Sequence, residues 1–204
     1  MKLVFLLLGV LAWAQQPTPV PVPADGFYLG PVSTNYTIDV FYDHLCSDSK
    51  DAFPALYQYW TANQAWLGMN IHIFPLPYHD FSFVVAQAGR YIQQNYPTKF
   101  MNFVTYMFNY QYIILNNSPS WDFPTVQSKV AGLTNQATGV AYNEVLSALD
   151  DSNINMSSRY SYKYSSSRTM TGTPLYLIND VWVPEVTDYT TYSQWVSFFS
   201  GLNS

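Results

Sequence analysis

The chain has 204 residues, a formal charge of −5, only 10% charged residues and a single cysteine. One thiol closes no internal disulfide and builds neither a four-cysteine nor a mixed cysteine–histidine zinc site, so bridge-stapled mini-domains and zinc modules are excluded. Eight Lys and Arg scattered among thirteen Asp and Glu make no counterion-displacing surface, which excludes a nucleic-acid partner.

Lys2 precedes an apolar run from Leu3 to Ala12, and Ala12-Trp13-Ala14 places small residues at both positions a signal peptidase reads. Residues 1–14 therefore read as a signal peptide. The run is too short to cross a bilayer, and no later stretch is apolar enough to do so. Secretion, or delivery to a secretory-pathway or vesicular lumen, is the expectation, with no membrane association after cleavage. Asn35-Tyr36-Thr37, Asn116-Asn117-Ser118 and Asn155-Met156-Ser157 are sequons, which makes Asn35, Asn116 and Asn155 glycosylation candidates.

Residues 15–34 open on alternating prolines that favour extended backbone and read as a Pro-rich leader, with one domain over 35–204. In residues 37–42 β-branched and aromatic side chains dominate, which predicts a strand. Ser47 and Asp48 suit a helix start, and Phe53, Leu56, Tyr57 and Trp60 follow at helical spacing. A second strand is expected over 69–76, closed by Pro75 and Pro77, so that strand, helix and strand form a right-handed parallel unit. Residues 78–170 read mainly as helices, over 81–95, 98–115, 124–133, 139–149 and 151–165, with breaks at Pro97, Pro119 and Gly132. Two short strands then flank Asn179-Asp180, a turn pair suited to a hairpin. An amphipathic helix over 189–202 closes the chain with Tyr192, Trp195, Val196 and Phe199 inward. The fold class is α/β: a thioredoxin-like fold with a large helical insertion between β-α-β and β-β-α halves.

This order places Cys46 between the end of the first strand and the start of the first helix. There the helix dipole and unpaired backbone N–H groups favour thiolate over thiol; Lys50 adds to that field, while Asp43 and Asp48 oppose it. A thiolate so placed can attack a disulfide and form a mixed disulfide. Ser49 stands where the second cysteine of a C-x-x-C pair would be.

The segment Phe41-Tyr42-Asp43-His44-Leu45-Cys46-Ser47-Asp48-Ser49-Lys50 resembles the active-site stretch of the DsbA-like branch of the thioredoxin superfamily, where F-x-D-x-x-C-P-x-C opens the first helix. Gly172-Thr173-Pro174-Leu175-Tyr176-Leu177-Ile178-Asn179 is similar to that family's cis-proline loop and following strand. The resemblance runs from about Thr37 to Leu202 in element order and implies that Cys46 is the nucleophile. It also implies that Ser49 replaces the resolving cysteine, as a support able to hydrogen-bond the thiolate. Thr173 and Pro174 become the cis peptide that faces the thiol and offers backbone groups to an extended substrate. Two departures, Ser47 for the family's proline and Ser49 for its second cysteine, leave no catalytic disulfide to hold or donate.

The function expected on this basis is monothiol chemistry: thiol–disulfide exchange or isomerisation, or glutathione-linked reactions, without self-sufficient redox cycling. Protein or peptide thiols and disulfides are the expected partners, glutathione is a candidate co-substrate, no bound cofactor or metal is expected, and the chain is read as a monomer. If it is an enzyme, it is of the thiol–disulfide oxidoreductase or isomerase kind. The competing reading is a catalytically degenerate thioredoxin-fold binding module. His44 with Asp43, and His79 with Asp80, are further imidazole–carboxylate pairs at the ends of strands. His72 falls inside the second strand.

Overall fold

The computed structural model describes residues 20, 21, 23–31 and 33–202. The signal peptide expected over 1–14, and residues 15–19, 22 and 32 of the expected leader, lie outside the described residues. A five-stranded sheet runs in the order β1-β3-β2-β4-β5, formed by β1 (Phe27–Leu29), β2 (Tyr36–Tyr42), β3 (Leu67–Ile73), β4 (Leu175–Ile178) and β5 (Val181–Trp182). The β2–β3 pair is parallel, as a strand–helix–strand unit requires, with Phe41 opposite His72 and Asp39 opposite Asn70. β4 returns antiparallel to β2 and pairs in turn with β5. Asn179 and Asp180 both adopt positive φ, the requirement of a two-residue hairpin turn that matches strand twist. The Asn179 side chain also accepts from the Thr37 N–H at 2.8 Å and donates to the Asn35 carbonyl at 3.1 Å, pinning the hairpin to the start of β2.

The alternation of side chains along β2 sorts them onto two faces. Ile38, Val40 and Tyr42 face α1 (Ser47–Asn63) and α7 (Tyr192–Leu202), where Tyr42 meets Phe53, and Tyr176, opposite Val40, meets Trp195. Asp39 and Phe41 point to the other face, where α6 (Ser152–Ser167) brings Tyr164 onto the ring of His72. Between the sheet halves lies the helical insertion: α2 (Ser82–Asn95), α3 (Phe100–Asn117), α4 (Phe123–Thr138), α5 (Tyr142–Asp150) and α6. Its centre is a buried set that includes Phe103, Met107, Phe108, Val130 and Val145. Among the described residues no helix is long and apolar enough to cross a membrane.

Several expectations are corrected. Residues 27–29, placed in the leader, form an edge strand paired antiparallel with β3. Gly132 does not break its helix: α4 runs through it, because burial of Val126, Val130 and Leu133 outweighs one glycine, and ends at Gly139 with φ 71°. The second strand begins at Leu67 and stops at Ile73, ahead of Pro75. In α7, Trp195 and Phe199 are buried but Tyr192 and Val196 are exposed, since two aromatic anchors suffice to seat an eleven-residue helix on the sheet.

Candidate functional site

The chain leaves β2 at Tyr42, and the next four residues build the loop that carries the thiol. Cys46 is the N-cap of α1, in extended conformation; its N–H donates to the Asp43 carbonyl at 3.1 Å and its carbonyl accepts from Lys50 N–H at 3.1 Å. Gln111 of α3 donates from Nε2 to the carbonyls of His44 (2.9 Å) and Cys46 (3.2 Å), so the helical insertion clamps the loop. Nothing in the local sequence around Gln111 marks this role; a buried glutamine among the apolar positions of a helix was the only signal.

The thiol is 5% exposed and donates to the Thr173 carbonyl at 3.2 Å. The Thr173–Pro174 peptide is cis, so the two resembling motifs, 127 residues apart, do meet. Cys46 packs in a small apolar cluster with Phe41, Phe74, Leu76, Met170 and Leu177, bordered by Tyr162 and Leu175. Ser49 is fully buried and its hydroxyl has no hydrogen-bond partner among the described residues. The expected hydrogen bond from the Ser49 hydroxyl to the sulfur is thus not made among the described residues.

The imidazole–carboxylate pairs are rearranged. Asp43 is fully buried and accepts four hydrogen bonds: from Leu45 N–H and Leu76 N–H at 2.9 Å each, from His79 Nδ1 at 2.7 Å, and from the Ser82 hydroxyl. His79 therefore pairs with Asp43 and not with Asp80. His44, expected beside Asp43, turns instead into the insertion against Phe103 and Phe108, with neither ring nitrogen partnered among the described residues. Burial pushes its pKa down to about 4, opposed only by the charge of Asp43, so it is neutral at physiological pH and brings no positive charge to Cys46. Tyr78, 67% exposed, stands edge-on to His79 with ring centroids 5.1 Å apart. Desolvation, then the charges of Cys46, Asp43 and Asp48, push its hydroxyl above the usual tyrosine range.

A second polar cluster lies under α6, on the far side of the Phe41 ring that packs with Cys46 and stacks on His72. His72 binds Asp25 through Nδ1 and Asp39 through Nε2, both at 2.9 Å, while Arg90 reaches Asp25 at 2.6 Å and Ser161 donates to it at 2.9 Å. Burial alone would lower the His72 pKa; two hydrogen-bonded carboxylates outweigh it and raise it. Asp25 is buried too, yet His72 and Arg90 hold its carboxyl down at about 2. The cluster fastens the segment before β1 to α2, β3 and α6. No pattern at short range announces it; a lone charge within each of several apolar stretches is what could have.

Of the three sequons, Asn35 and Asn116 are exposed, and Asn155 is half-buried within α6.

No protein-family model and no curated protein sequence matches the chain. Solved structures do. A putative protein-disulfide isomerase from Pseudomonas syringae superposes with TM-score 0.68 at 17% identity, over 85% of this chain and 97% of its own. BdbD from Bacillus subtilis gives TM-score 0.68 at 16% identity over 86% and 91%. DsbA of Chlamydia trachomatis gives 0.63 at 14% over 86% and 90%. The chain shares the DsbA-like thioredoxin fold with these structures and carries one cysteine within it.

Proposed function

We propose that this chain is a secreted or lumenal monothiol protein whose Cys46 forms mixed disulfides with protein or peptide clients. The observation that carries the reading is the position of the sulfur: at the N-terminus of α1 and against the Thr173 carbonyl at 3.2 Å. Cys46 thiolate attacks one sulfur of a client disulfide; the new bond joins Cys46 to that sulfur, the client S–S bond breaks, and the departing thiolate takes a proton. An outside thiol, with glutathione as the candidate, then attacks the mixed disulfide and returns Cys46 to its starting state. Atoms and electrons balance without a resolving cysteine, but each cycle reshuffles disulfides and creates none. Ser49 lies within the site as its support, and the Thr173-Pro174 loop is the surface an extended client would meet. The chain acts as a monomer, and glycans on Asn35, Asn116 and Asn155 would supply the solubility its low charge does not.

Burial of Cys46 together with the unpartnered Ser49 hydroxyl favours a second reading, a degenerate binding module on the same fold. Alkylation rate against pH, with trapping of adducts in wild type and Cys46→Ala, separates the two. Exchange predicts alkylation near neutral pH faster than that of a free model thiol and adducts lost in the variant. Alkylation no faster than the free thiol, with no adducts, would establish the binding module instead.

A further inference from the structure

The side of α6 that faces the β3–α2 connection carries charge that the fold does not use. Arg159 and Lys163, one turn apart on α6, line a cavity of about 410 Å³ together with Leu76, His79, Phe81 and Tyr162. That volume falls within the range typical of small-ligand sites, roughly 300–1,000 Å³. Two of the lining residues, Leu76 and Tyr162, belong to the apolar cluster that surrounds Cys46, so the cavity and the thiol share a wall.

The polar lining is unequal in sign. Among the described residues, neither Arg159 nor Lys163 is within ion-pair distance of a carboxylate. The chain as a whole has eight Lys and Arg against thirteen Asp and Glu, so two uncommitted cations on one wall depart from its general balance. Asp80 is the one carboxylate among the lining residues. His79 contributes a ring whose Nδ1 is held by the buried Asp43, while Nε2 has no partner among the described residues. Tyr78 flanks that ring from the same loop.

We propose that this cavity binds a small thiol or disulfide bearing carboxylate groups and presents its sulfur to Cys46. Arg159 and Lys163 hold the carboxylates, Leu76, Phe81 and Tyr162 cover the aliphatic part, and Nε2 of His79 meets a polar group of the ligand. The assignment rests on the monothiol exchange reading for its chemistry and on the cavity alone for its binding. In the reaction a carboxylate-bearing disulfide gives one half to Cys46 as a mixed disulfide and releases the other as a thiol.

Binding and reaction are tested apart. On Cys46→Ala, calorimetric titration with S-methylglutathione, a carboxylate-bearing thioether without a reactive sulfur, gives saturable binding that Arg159→Gln/Lys163→Gln abolishes while the thermal melt stays unchanged. No binding to Cys46→Ala, or equal binding by the double variant, overturns the cavity assignment whatever the thiol does. On the wild type, the rate with anionic 5,5′-dithiobis(2-nitrobenzoate) over that with cationic cystamine, each normalised to a free thiol, exceeds one by about tenfold at low salt and falls as salt is added. The double variant loses this preference. Wild type that shows no anionic preference overturns the proposal. Intact binding with no reaction towards any disulfide overturns the exchange reading and leaves the binding site standing. An acidic peptide too long for the cavity that competes as well as S-methylglutathione overturns the small-ligand assignment.

Discussion

The carboxylate of Asp43 and the imidazole of His79, 36 residues apart in sequence, meet at 2.7 Å beneath the loop that carries Cys46. Asp43 also takes the backbone N–H of Leu45 and of Leu76, so one buried side chain ties the β2–α1 loop to the β3–α2 loop. Asp43→Asn turns one acceptor oxygen into a donor that faces donors. The expected loss is about 2 kcal/mol or more, since a buried donor left unpaired costs roughly 1–3 kcal/mol. Urea denaturation reads it; a midpoint within error of wild type would refute the tie.

Ser49, three residues after Cys46 in the first turn of α1, is buried, and its hydroxyl has no hydrogen-bond partner among the described residues. Ser49→Cys should form an intramolecular disulfide on oxidation, seen as loss of two hydrogens by mass spectrometry, and should catalyse insulin reduction where the wild type does not. If the variant forms the disulfide and stays inactive, the client surface has been lost and the binding-module reading gains.

His44 contributes acid sensitivity. Its folded pKa of about 4 lies below the unfolded value near 6.5, so the unfolded chain binds more protons between these limits and stability falls as pH drops through them. The penalty is of order 3 kcal/mol once pH passes below 4, at about 1.4 kcal/mol per pKa unit. His44→Phe, packed against Phe103 and Phe108, should remove that slope and be neutral or stabilising at pH 7, because two unpartnered nitrogens leave the core. Thermal melts from pH 7 to pH 4 test it; an unchanged slope would show that His44 is solvated.

The Asp25–His72 cluster shapes the two ends of the pH range. With its carboxyl held at about 2, Asp25 contributes stability that is present above about pH 4 and lost as pH falls towards 2. His72 is raised, so its contribution is present below about pH 6.5 and lost as pH rises through its folded value. Asp25→Asn should destabilise the protein across the plateau, by several kcal/mol because Arg90 loses its buried partner, and should flatten the alkaline slope. Denaturant melts at a series of pH values provide the check. Equal melts for the two proteins would show that the segment before β1 is not fastened to the domain.

Much of the fold was legible because its signals are local. The alternating strand at 37–42, the helical spacing from Phe53 to Trp60 and the Asn179-Asp180 turn depend on neighbours a few residues away, and each forms as expected. The edge strand Phe27–Leu29 was missed because three residues between Gly26 and Gly30 carry no period of their own; only pairing with β3 makes them a strand. Gly132 misled for the converse reason, since the propensity cost of one glycine is small beside the burial of its helix's apolar face.

The sequence by itself determined that one thiol sits at a helix start with serine in place of its partner, because composition and the first few residues of a helix are properties of adjacent positions. Only the tertiary structure decided which carboxylate meets which imidazole. His79 finds Asp43 rather than Asp80, and His72 finds Asp25 and Asp39, through strand register and the docking of loops. A buried charge must be paired wherever its partner lies along the chain, so folding chose these pairs by burial and not by spacing.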